Sequence, residues 1–206
     1  MNPATFVECP HFPCGDVVHA RFTVPSVVLR PSRITVMMVA EAPPGDPADW
    51  FYAAGNPFYL NTTLGAFRAA GCDVASMRDI IGLGIYLTTA IKCAKQGNAV
   101  EPASVRNCSP LLEQELAAFH DLVAILAMGD VAIKAINNIA RRRTGKPAIP
   151  SGPTYKIRSG EYYLGDLRVF PSYLQTGKSY LIEKSKQAMI AADIRAALAY
   201  AADAGA

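Results

Sequence analysis

The sequence is poor in several features that would identify common classes of protein. None of its apolar runs reaches the roughly eighteen uncharged residues of a transmembrane helix, and its first residues lack the basic-then-apolar order of a signal peptide. We therefore expect a cytoplasmic protein. The net charge is only +3, which permits a polyanionic partner without demanding one. Five cysteines, an odd number in a chain without a secretory signal, argue against a disulfide framework.

Hydrophobic residues make up 51% of the chain, and several of them form segments that predict strands. The segments Ile34–Ala40, Ile85–Ile91 and Leu122–Met128 are nearly uninterrupted apolar runs, which is typical of strands buried on both faces. The segments Thr154–Ile157 and Tyr162–Phe170 predict an antiparallel pair.

Helical periodicity fills the intervals between these strands. Apolar residues at three- and four-residue steps predict a helix over Phe58–Ala70, and similar patterns predict helices over Pro102–Phe119, Asp130–Arg142 and Tyr180–Ala201. Strands that alternate with helices favour a parallel sheet with helices on both of its faces. Residues 1–25, interrupted by four prolines, are expected to be irregular.

Four of the cysteines form two pairs that are candidate metal ligands. Four residues separate Cys9 from Cys14, and fourteen separate Cys93 from Cys108. They are compatible with four unrelated buried thiols, with a zinc ion or with an iron–sulfur cluster, because zinc and clusters both accept four thiolates. Neither spacing is that of a zinc ribbon, which favours the cluster. Cys72 has no such partner and is expected to be a core or surface thiol.

A carboxylate follows the first predicted strand at once. Glu41 is succeeded by a rigid turn that ends at Asp46, and the carboxyl ends of strands are where open α/β sheets place their ligand crevices. The same sequence would also be found if Glu41 were an exposed acid at the end of an ordinary strand, which is the alternative interpretation. Three consecutive arginines, 141–143, are most simply a solvated helix end, with phosphate contacts as the alternative.

Six short motifs occur in an order that resembles one known family. Taken in chain order, they are Glu41-Ala42-Pro43, Gly55-Asn56-Pro57-Phe58, Tyr86 to Cys93, Cys108-Ser109-Pro110-Leu111, Leu126 to Gly129, and Phe170-Pro171-Ser172-Tyr173-Leu174. Together they resemble the uracil-DNA glycosylase superfamily, specifically its iron–sulfur branch, family 4, and they span nearly the whole chain.

The resemblance implies a fold, a cofactor and an activity. The fold would be a three-layer α/β/α sandwich around a central, mainly parallel four-stranded sheet, formed by residues 1–206 as one domain of a monomer. A structural [4Fe–4S] cluster would be held by Cys9, Cys14, Cys93 and Cys108, with zinc as the alternative, although the family usually has a tighter first pair. The protein would act in base excision repair, flipping uracil or another deaminated base out of DNA and hydrolysing its N-glycosidic bond.

The resemblance also carries roles onto individual positions. Glu41 matches the carboxylate near the attacked sugar, and Asp46 is a second candidate for activating water. Phe58 matches the aromatic on which the flipped base stacks, beside Ala42 and Pro43. The segment 171–178 matches the loop that penetrates the duplex. Its candidate DNA contacts are Ser172, Tyr173, Leu174, Gln175 and Lys178, with Leu174 or Gln175 as the wedge.

Two positions depart from the family pattern. Thr89 stands where the family usually has an Asn that reads the uracil edge, and Phe170 stands where it usually has a His that stabilises the departing base. Asp49, Asn56 or Asn61 could compensate. A different lesion, a DNA-binding protein without turnover and a hydrolase of free nucleosides are therefore alternatives.

Overall fold

The structure is a computed structural model that describes residues 1–97 and 99–204. It is an α/β protein built on a five-stranded, mostly parallel sheet, which confirms the predicted fold class. The strands are β1 Val17–Phe22, β2 Val36–Ala40, β3 Ile85–Thr89, β4 Cys93–Lys95, β5 Ala124–Met128, β6 Tyr162–Leu164 and β7 Leu167–Ser172. The helices are α1 Phe58–Ala69, α2 Met77–Gly82, α3 Pro102–Ala117, α4 Asp130–Thr144, α5 Thr154–Ile157, α6 Lys178–Ile182 and α7 Lys184–Ala204.

The central sheet has the strand order β3-β2-β5-β7-β6. Its first four strands are parallel, and Val39 pairs with Ala127, which pairs in turn with Pro171. This register brings the carboxyl ends of β2, β5 and β7 to one edge of the sheet, where the residues that follow them meet.

The central sheet has five strands instead of the four predicted, because the antiparallel strand β6 joins its edge. The hairpin that contains β6 also begins later than expected. Thr154–Ile157 is helix α5, since Pro153 has the fixed φ that opens a helical turn. The antiparallel partner of β7 is β6, and the turn between them begins at Gly165, whose φ of +63° suits a two-residue hairpin loop.

The prediction that residues 1–25 are irregular was also wrong in part. This segment contains β1, which pairs antiparallel with β4 in a separate two-stranded sheet. The pairing was hard to predict because β4 has only three residues and β1 shows a buried side chain only at its start. Such a ribbon depends on packing against the rest of the chain more than on its own pattern.

The central sheet separates two hydrophobic layers. Alternate residues of a strand point to opposite faces, and β2 shows this directly. Met37 and Val39 belong to the layer that also contains residues of α3 and α4, whereas Val36, Met38 and Ala40 belong to the layer that contains residues of α1 and α7. All five side chains of β2 are buried, which explains its continuous apolar sequence.

An aromatic segment lies against one edge of the sheet. Trp50 and Phe51 are buried, in keeping with the expectation that adjacent aromatics pack onto the core. The Tyr52 hydroxyl donates a hydrogen bond of 2.8 Å to the carbonyl of Leu87, which lies on the edge strand β3. The loop after β2 is thereby fastened to the sheet.

Helix α3 contains Pro110 in its interior. A proline at this position cannot donate to the carbonyl four residues earlier, which is that of Arg106. The Ser109 hydroxyl donates to this carbonyl instead, at 2.8 Å. The Arg106 carbonyl therefore keeps a hydrogen-bond donor although the helical bond is missing. No helix in residues 1–97 and 99–204 combines the length and hydrophobicity needed to cross a membrane.

Candidate active site

A cavity of about 380 Å³ opens at the carboxyl edge of the central sheet. It lies between the residue that follows β2, the start of α1, the end of β4 and the loop after β7. Its lining consists of Glu41, Ala42, Tyr59, Lys95, Leu174, Thr176, Gly177 and Lys178. Segments that are far apart in the sequence thus converge where parallel sheets commonly bind ligands.

Glu41 is the carboxylate of this cavity. Its Oε1 atom lies 3.1 Å from Lys95 Nζ, and the two side chains are 20% and 22% exposed. The pair is therefore partly shielded from water, which strengthens the attraction between its two charges. The site therefore presents a carboxylate whose position is fixed by an ion pair.

Tyr59 lines the same cavity. Burial raises the pKa of Tyr59, and the negative charges of Glu41 and Asp49 raise it further. The phenol consequently keeps its proton at neutral pH and can donate a hydrogen bond. Asp49 itself accepts a hydrogen bond of 3.3 Å from the backbone N–H of Phe58, which fixes the start of α1 beside the cavity.

The close approach of the loop after β7 depends on Gly129. Its φ of +91° is a conformation that L side chains rarely adopt, and a Cβ atom there would lie 3.3 Å from the Cβ of Leu174. The Gly129 N–H also donates to the Ser172 carbonyl at 2.8 Å. Gly129 thus allows Leu174 to sit over the end of β5 and line the cavity.

Four of the predicted site residues come together in this cavity: Glu41, Ala42, Leu174 and Lys178. Others lie outside its lining. Pro43 faces a separate depression of about 60 Å³, and Asp46 is exposed, with Oδ1 accepting a hydrogen bond from the Ala48 N–H at 2.9 Å. Phe58 is half-buried at the first position of α1, next to Tyr59.

The two positions that depart from the family pattern lie outside the cavity lining. Thr89 is fully buried, and its hydroxyl donates to the Ile91 carbonyl at 2.7 Å. Phe170 is half-buried, with its ring 5.9 Å from that of Tyr200 on α7 and 5.1 Å from the Arg168 guanidinium. The Thr89 hydroxyl already donates its proton inside the chain, and Phe170 is occupied in packing.

The loop after β7 has a buried part and an accessible part. The Ser172 hydroxyl is buried and donates to Asp193 at 2.5 Å, while Gln175 is buried and donates to the Met38 sulfur at 3.4 Å. Tyr173 is half-buried, with the Lys186 ammonium 5.3 Å from its ring. Leu174 is half-buried and Lys178 is exposed, so these two are the residues of the predicted set that a ligand in the cavity can reach.

The four paired cysteines occupy neighbouring positions. Cys93 and Cys108 are buried, and Cys9 and Cys14 are half-buried. Burial, followed by the negative charges of Cys108, Cys9 and Cys14, raises the pKa of Cys93 to about 12. Within the described ranges, no three His, Cys, Asp or Glu side chains are already arranged around a common point as metal ligands.

Two hydrogen-bond donors point at these sulfur atoms. The Lys92 backbone N–H lies 3.4 Å from the Cys108 Sγ, and the Asn107 side-chain amide lies 3.8 Å from the Cys14 Sγ. Phe12, between Cys9 and Cys14, has a φ of +43°, the one positive value for a residue other than glycine in the described chain. Donors to sulfur and a sharply turning backbone are features of thiolate ligand sites.

A fully buried ion pair lies beside the cysteines. The Lys92 ammonium contacts the Glu115 carboxylate, and it also donates to the Thr88 hydroxyl at 2.8 Å and the Thr89 carbonyl at 2.6 Å. The Tyr86 hydroxyl donates to Glu115 at 2.6 Å. This network ties the end of β3 to α3, and therefore the segment before Cys93 to the helix that carries Cys108.

Sequence reasoning missed four residues of the cavity lining, which are Tyr59, Lys95, Thr176 and Gly177. Tyr59 follows directly after the predicted stacking residue Phe58, and Lys95 follows two residues after Cys93, so proximity to known candidates was the available signal. Thr176 lies inside the predicted loop but carries no charge or ring that would single it out.

Two comparisons with known proteins bear on this site. The sequence profile described as "Uracil DNA glycosylase superfamily" matches residues 28–195, a range that contains Glu41, Cys93, Cys108 and the loop after β7. The chain belongs to the uracil-DNA glycosylase superfamily, as the order of its motifs predicts. Cys9 and Cys14 lie outside the matched range.

A curated relative shares part of the sequence. It is described as "Type-5 uracil-DNA glycosylase" from Thermus thermophilus and is 29% identical over 96 residues. The aligned stretch covers 46% of this chain and 43% of the relative, which is less than half of either protein. The relative is assigned to type 5, whereas the motifs resemble family 4, so the branch of the superfamily remains a prediction.

Proposed function

We propose that this protein is a DNA glycosylase that hydrolyses the N-glycosidic bond of a flipped uracil, or of another deaminated base, and leaves an abasic site. The observation that carries the proposal is the cavity at the carboxyl edge, where Glu41 faces Leu174 and Lys178 of the loop after β7. A carboxylate, an apolar wedge and a cation at one pocket mouth are the groups that base extrusion and glycosidic cleavage require.

Glu41 is the proposed catalytic residue. As the C1′–N bond breaks, its electron pair leaves with the base and positive charge develops on the sugar. A carboxylate beside the sugar stabilises that charge or orients the water whose oxygen adds to C1′. Lys95, 3.1 Å away, would hold the Glu41 carboxylate in place. The water proton passes to solvent, and the released base takes up a proton.

Leu174 is the proposed wedge, and Lys178 the proposed phosphate contact. Extruding a base costs a few kcal/mol, and an apolar side chain that fills the vacated stack offsets part of that cost. Leu174 is supported from below by Gly129, so it is held at the mouth of the cavity. Phe58, at the start of α1, would stack on the flipped base, an interaction that contributes ~1–3 kcal/mol.

Tyr59 is the proposed polar contact for the base. Thr89 and Phe170 do not offer a donor to the cavity, whereas Tyr59 lines it and its hydroxyl retains its proton. A single hydroxyl reads a carbonyl less selectively than the paired contact of an Asn amide. This arrangement favours tolerance of more than one deaminated base over strict selection of uracil.

Cys9, Cys14, Cys93 and Cys108 are the proposed ligands of a metal group, either a [4Fe–4S] cluster or zinc. The support is the chemistry of the donors, because thiolates bind both groups and N–H donors point at the Cys108 and Cys14 sulfurs. Binding would have to draw the four sulfurs together, since the described residues do not yet gather three of them around one point. The group would supply a structural crosslink among the N-terminal segment, β4 and α3. The residues of the cavity perform the proposed chemistry without it.

The proposal is tested by measuring base release from oligonucleotides that contain uracil, hypoxanthine or xanthine, in single and double strands. We expect release from at least one substrate, and a loss of about 100-fold or more in the Glu41→Gln variant, since electrostatic groups of this kind contribute about 10²–10³ in rate. Glu161→Gln, which removes an exposed acid outside the cavity lining, is the matched control. Absence of release from all three bases would contradict the proposal.

A second candidate function is DNA binding without turnover. Its support is the ion pair itself, because Lys95 neutralises the carboxylate on which the chemistry depends. It predicts salt-dependent binding to DNA with no base release. Hydrolysis of free nucleosides, which needs no duplex, would be indicated by a higher rate on a nucleoside than on DNA.

A further inference from the structure

The three consecutive arginines at the end of α4 do not share one environment. Arg142 and Arg143 both form ion pairs with Glu113 on α3, with distances of 2.7 Å each, and Arg142 also contacts Ser109. The Arg141 side chain has no hydrogen bond or ion pair to any residue in the described ranges, although its backbone carbonyl accepts from the Gly145 N–H. The arrangement leaves Arg141 available for a contact outside the chain.

Arg141 lines a groove of about 380 Å³ on the outer face of the helical layer. One wall is a stripe of α4 at helical spacing. The other walls are the first turn of α3 and the loop before α5. The polar members of the lining are Arg106, Asp130, Lys134, Asn137, Asn138, Arg141, Ser151 and Thr154.

The groove is positively charged. Lys134 and Asp130 pair with each other across one turn of α4, so their charges offset. Arg106 and Arg141 remain, both exposed, and the Arg106 side chain likewise has no partner among the described residues. Asn138 adds a neutral hydrogen-bonding group between them. Two unpaired guanidinium groups with planar donor arrays suit phosphate oxygens.

The groove begins next to the candidate active site. Asp130, at its near end, follows directly after Gly129, on which Leu174 of the cavity rests. The helical rise from Asp130 to Arg141 extends the groove by ~16 Å at about 1.5 Å per residue. The groove is therefore longer than a single phosphate group. Its length corresponds to about five successive phosphates at the roughly 3.4 Å rise of one DNA strand.

We infer that this groove binds the phosphodiester backbone of the DNA strand that flanks the base in the active site, with Arg106 and Arg141 as phosphate contacts. The inference rests on the proposed function only in taking DNA as the ligand of the cavity, and it does not require turnover. In this proposal the groove holds the part of the DNA strand that flanks the flipped base. Arg142 and Arg143 hold α4 on α3.

The interrupted helix α3 supports this assignment. The Arg106 carbonyl, left without its helical donor by Pro110, is held by the Ser109 hydroxyl, which itself accepts a hydrogen bond of 2.5 Å from Arg142. Arg142 therefore fixes the backbone from which the Arg106 side chain extends into the groove. Arg142 and Arg143 thus stabilise the contact between α3 and α4, whereas Arg106 and Arg141 are left to bind phosphate.

The test measures binding of undamaged fluorescent single-stranded oligonucleotides by anisotropy as a function of salt. For a 20-mer, we expect the double variant Arg106→Gln/Arg141→Gln to lower the slope of log K against log salt by about 1.4, because each phosphate contact on single strands contributes about 0.7. Binding at about 0.1 M salt should weaken by about 10–30-fold.

Arg143→Gln is the matched control, since it removes the same charge from the same turn of α4 and should leave the slope unchanged. Equal slopes for the double variant and the parent protein would overturn the inference, as would an equal loss in Arg143→Gln. Base-release assays separate the two proposals. A protein that releases no base but shows the arginine-dependent slope contradicts the proposed function and supports the groove.

Discussion

Replacing Lys92 by methionine should destabilise the protein far more than replacing an exposed lysine. Lys92 and Glu115 are fully buried, and the ammonium is the only charged donor that the Glu115 carboxylate has among the described residues. Methionine fills a similar volume but leaves Glu115 with the neutral donors Tyr86 and Thr88. Removing one partner of a buried pair costs about 3–5 kcal/mol, because the remaining charge stays desolvated.

This cost corresponds to a fall in Tm of about 7–12 °C for a chain of this length, given an unfolding entropy of about 2.1 cal/mol/K per residue. The assay is thermal and urea unfolding of the purified protein, compared with Lys134→Met. Lys134 is 53% exposed and pairs with Asp130, so its loss should cost less than about 1 kcal/mol.

A double variant distinguishes the cost of leaving the Glu115 carboxylate unpaired from the cost of a packing defect at position 92. Adding Glu115→Gln to Lys92→Met removes the uncompensated charge and should recover a large part of the lost stability. If Lys92→Met unfolds within about 1 kcal/mol of the parent protein, or if the second substitution recovers nothing, the reasoning about this buried pair is refuted.

Three further predictions concern the site and its supports. Gly129→Ala should slow base release and destabilise the chain by about 1–3 kcal/mol, because a Cβ at φ +91° is strained and meets Leu174; unchanged kinetics and unfolding would contradict the role of Gly129. Cys93→Ser should abolish visible absorbance near about 400 nm if a cluster is bound, whereas Cys72→Ser should preserve it; a colourless parent protein that contains zinc would identify the alternative. Burial acts to raise the pKa of Glu113, but hydrogen bonds from Arg142 and Arg143 lower it overall. The group therefore stabilises the fold above its ordinary pKa of 4.5 and loses that effect as pH falls below it; unfolding of Glu113→Gln should show a weaker pH dependence in that range, and an unchanged profile would count against the ion pairs.

Much of the central fold could be predicted because strands that are buried on both faces have continuous apolar sequences. The runs ending at Ala40 and Met128 are almost entirely apolar, since both faces of their strands are covered, and their order with the helices fixes the parallel topology. The two strands of the β1–β4 ribbon have no such apolar pattern. Its strands pair across more than 70 residues, and their stability comes from partners that a local pattern does not contain.

The candidate site could be predicted only in part, for a related reason. Glu41 and Leu174 follow strand ends, which the sequence locates. The position of Ser172 is decided by Asp193, twenty-one residues away, which draws its hydroxyl into the interior. The partner of Glu41 is Lys95, fifty-four residues away. Contacts of this range depend on how the layers pack, and no spacing within one segment encodes them.

The bond between Tyr52 and Leu87 has a consequence for the behaviour of the protein in concentrated solution. An edge strand with free backbone groups can recruit a strand from another molecule, and such pairing leads to aggregation. The Tyr52 hydroxyl occupies a carbonyl of the edge strand β3, and the aromatic segment beside it covers the apolar side chains nearby. The loop that leads from Glu41 to α1 therefore protects the sheet from self-association as well as framing the cavity. Shortening this loop to alter the pocket would carry a cost in solubility.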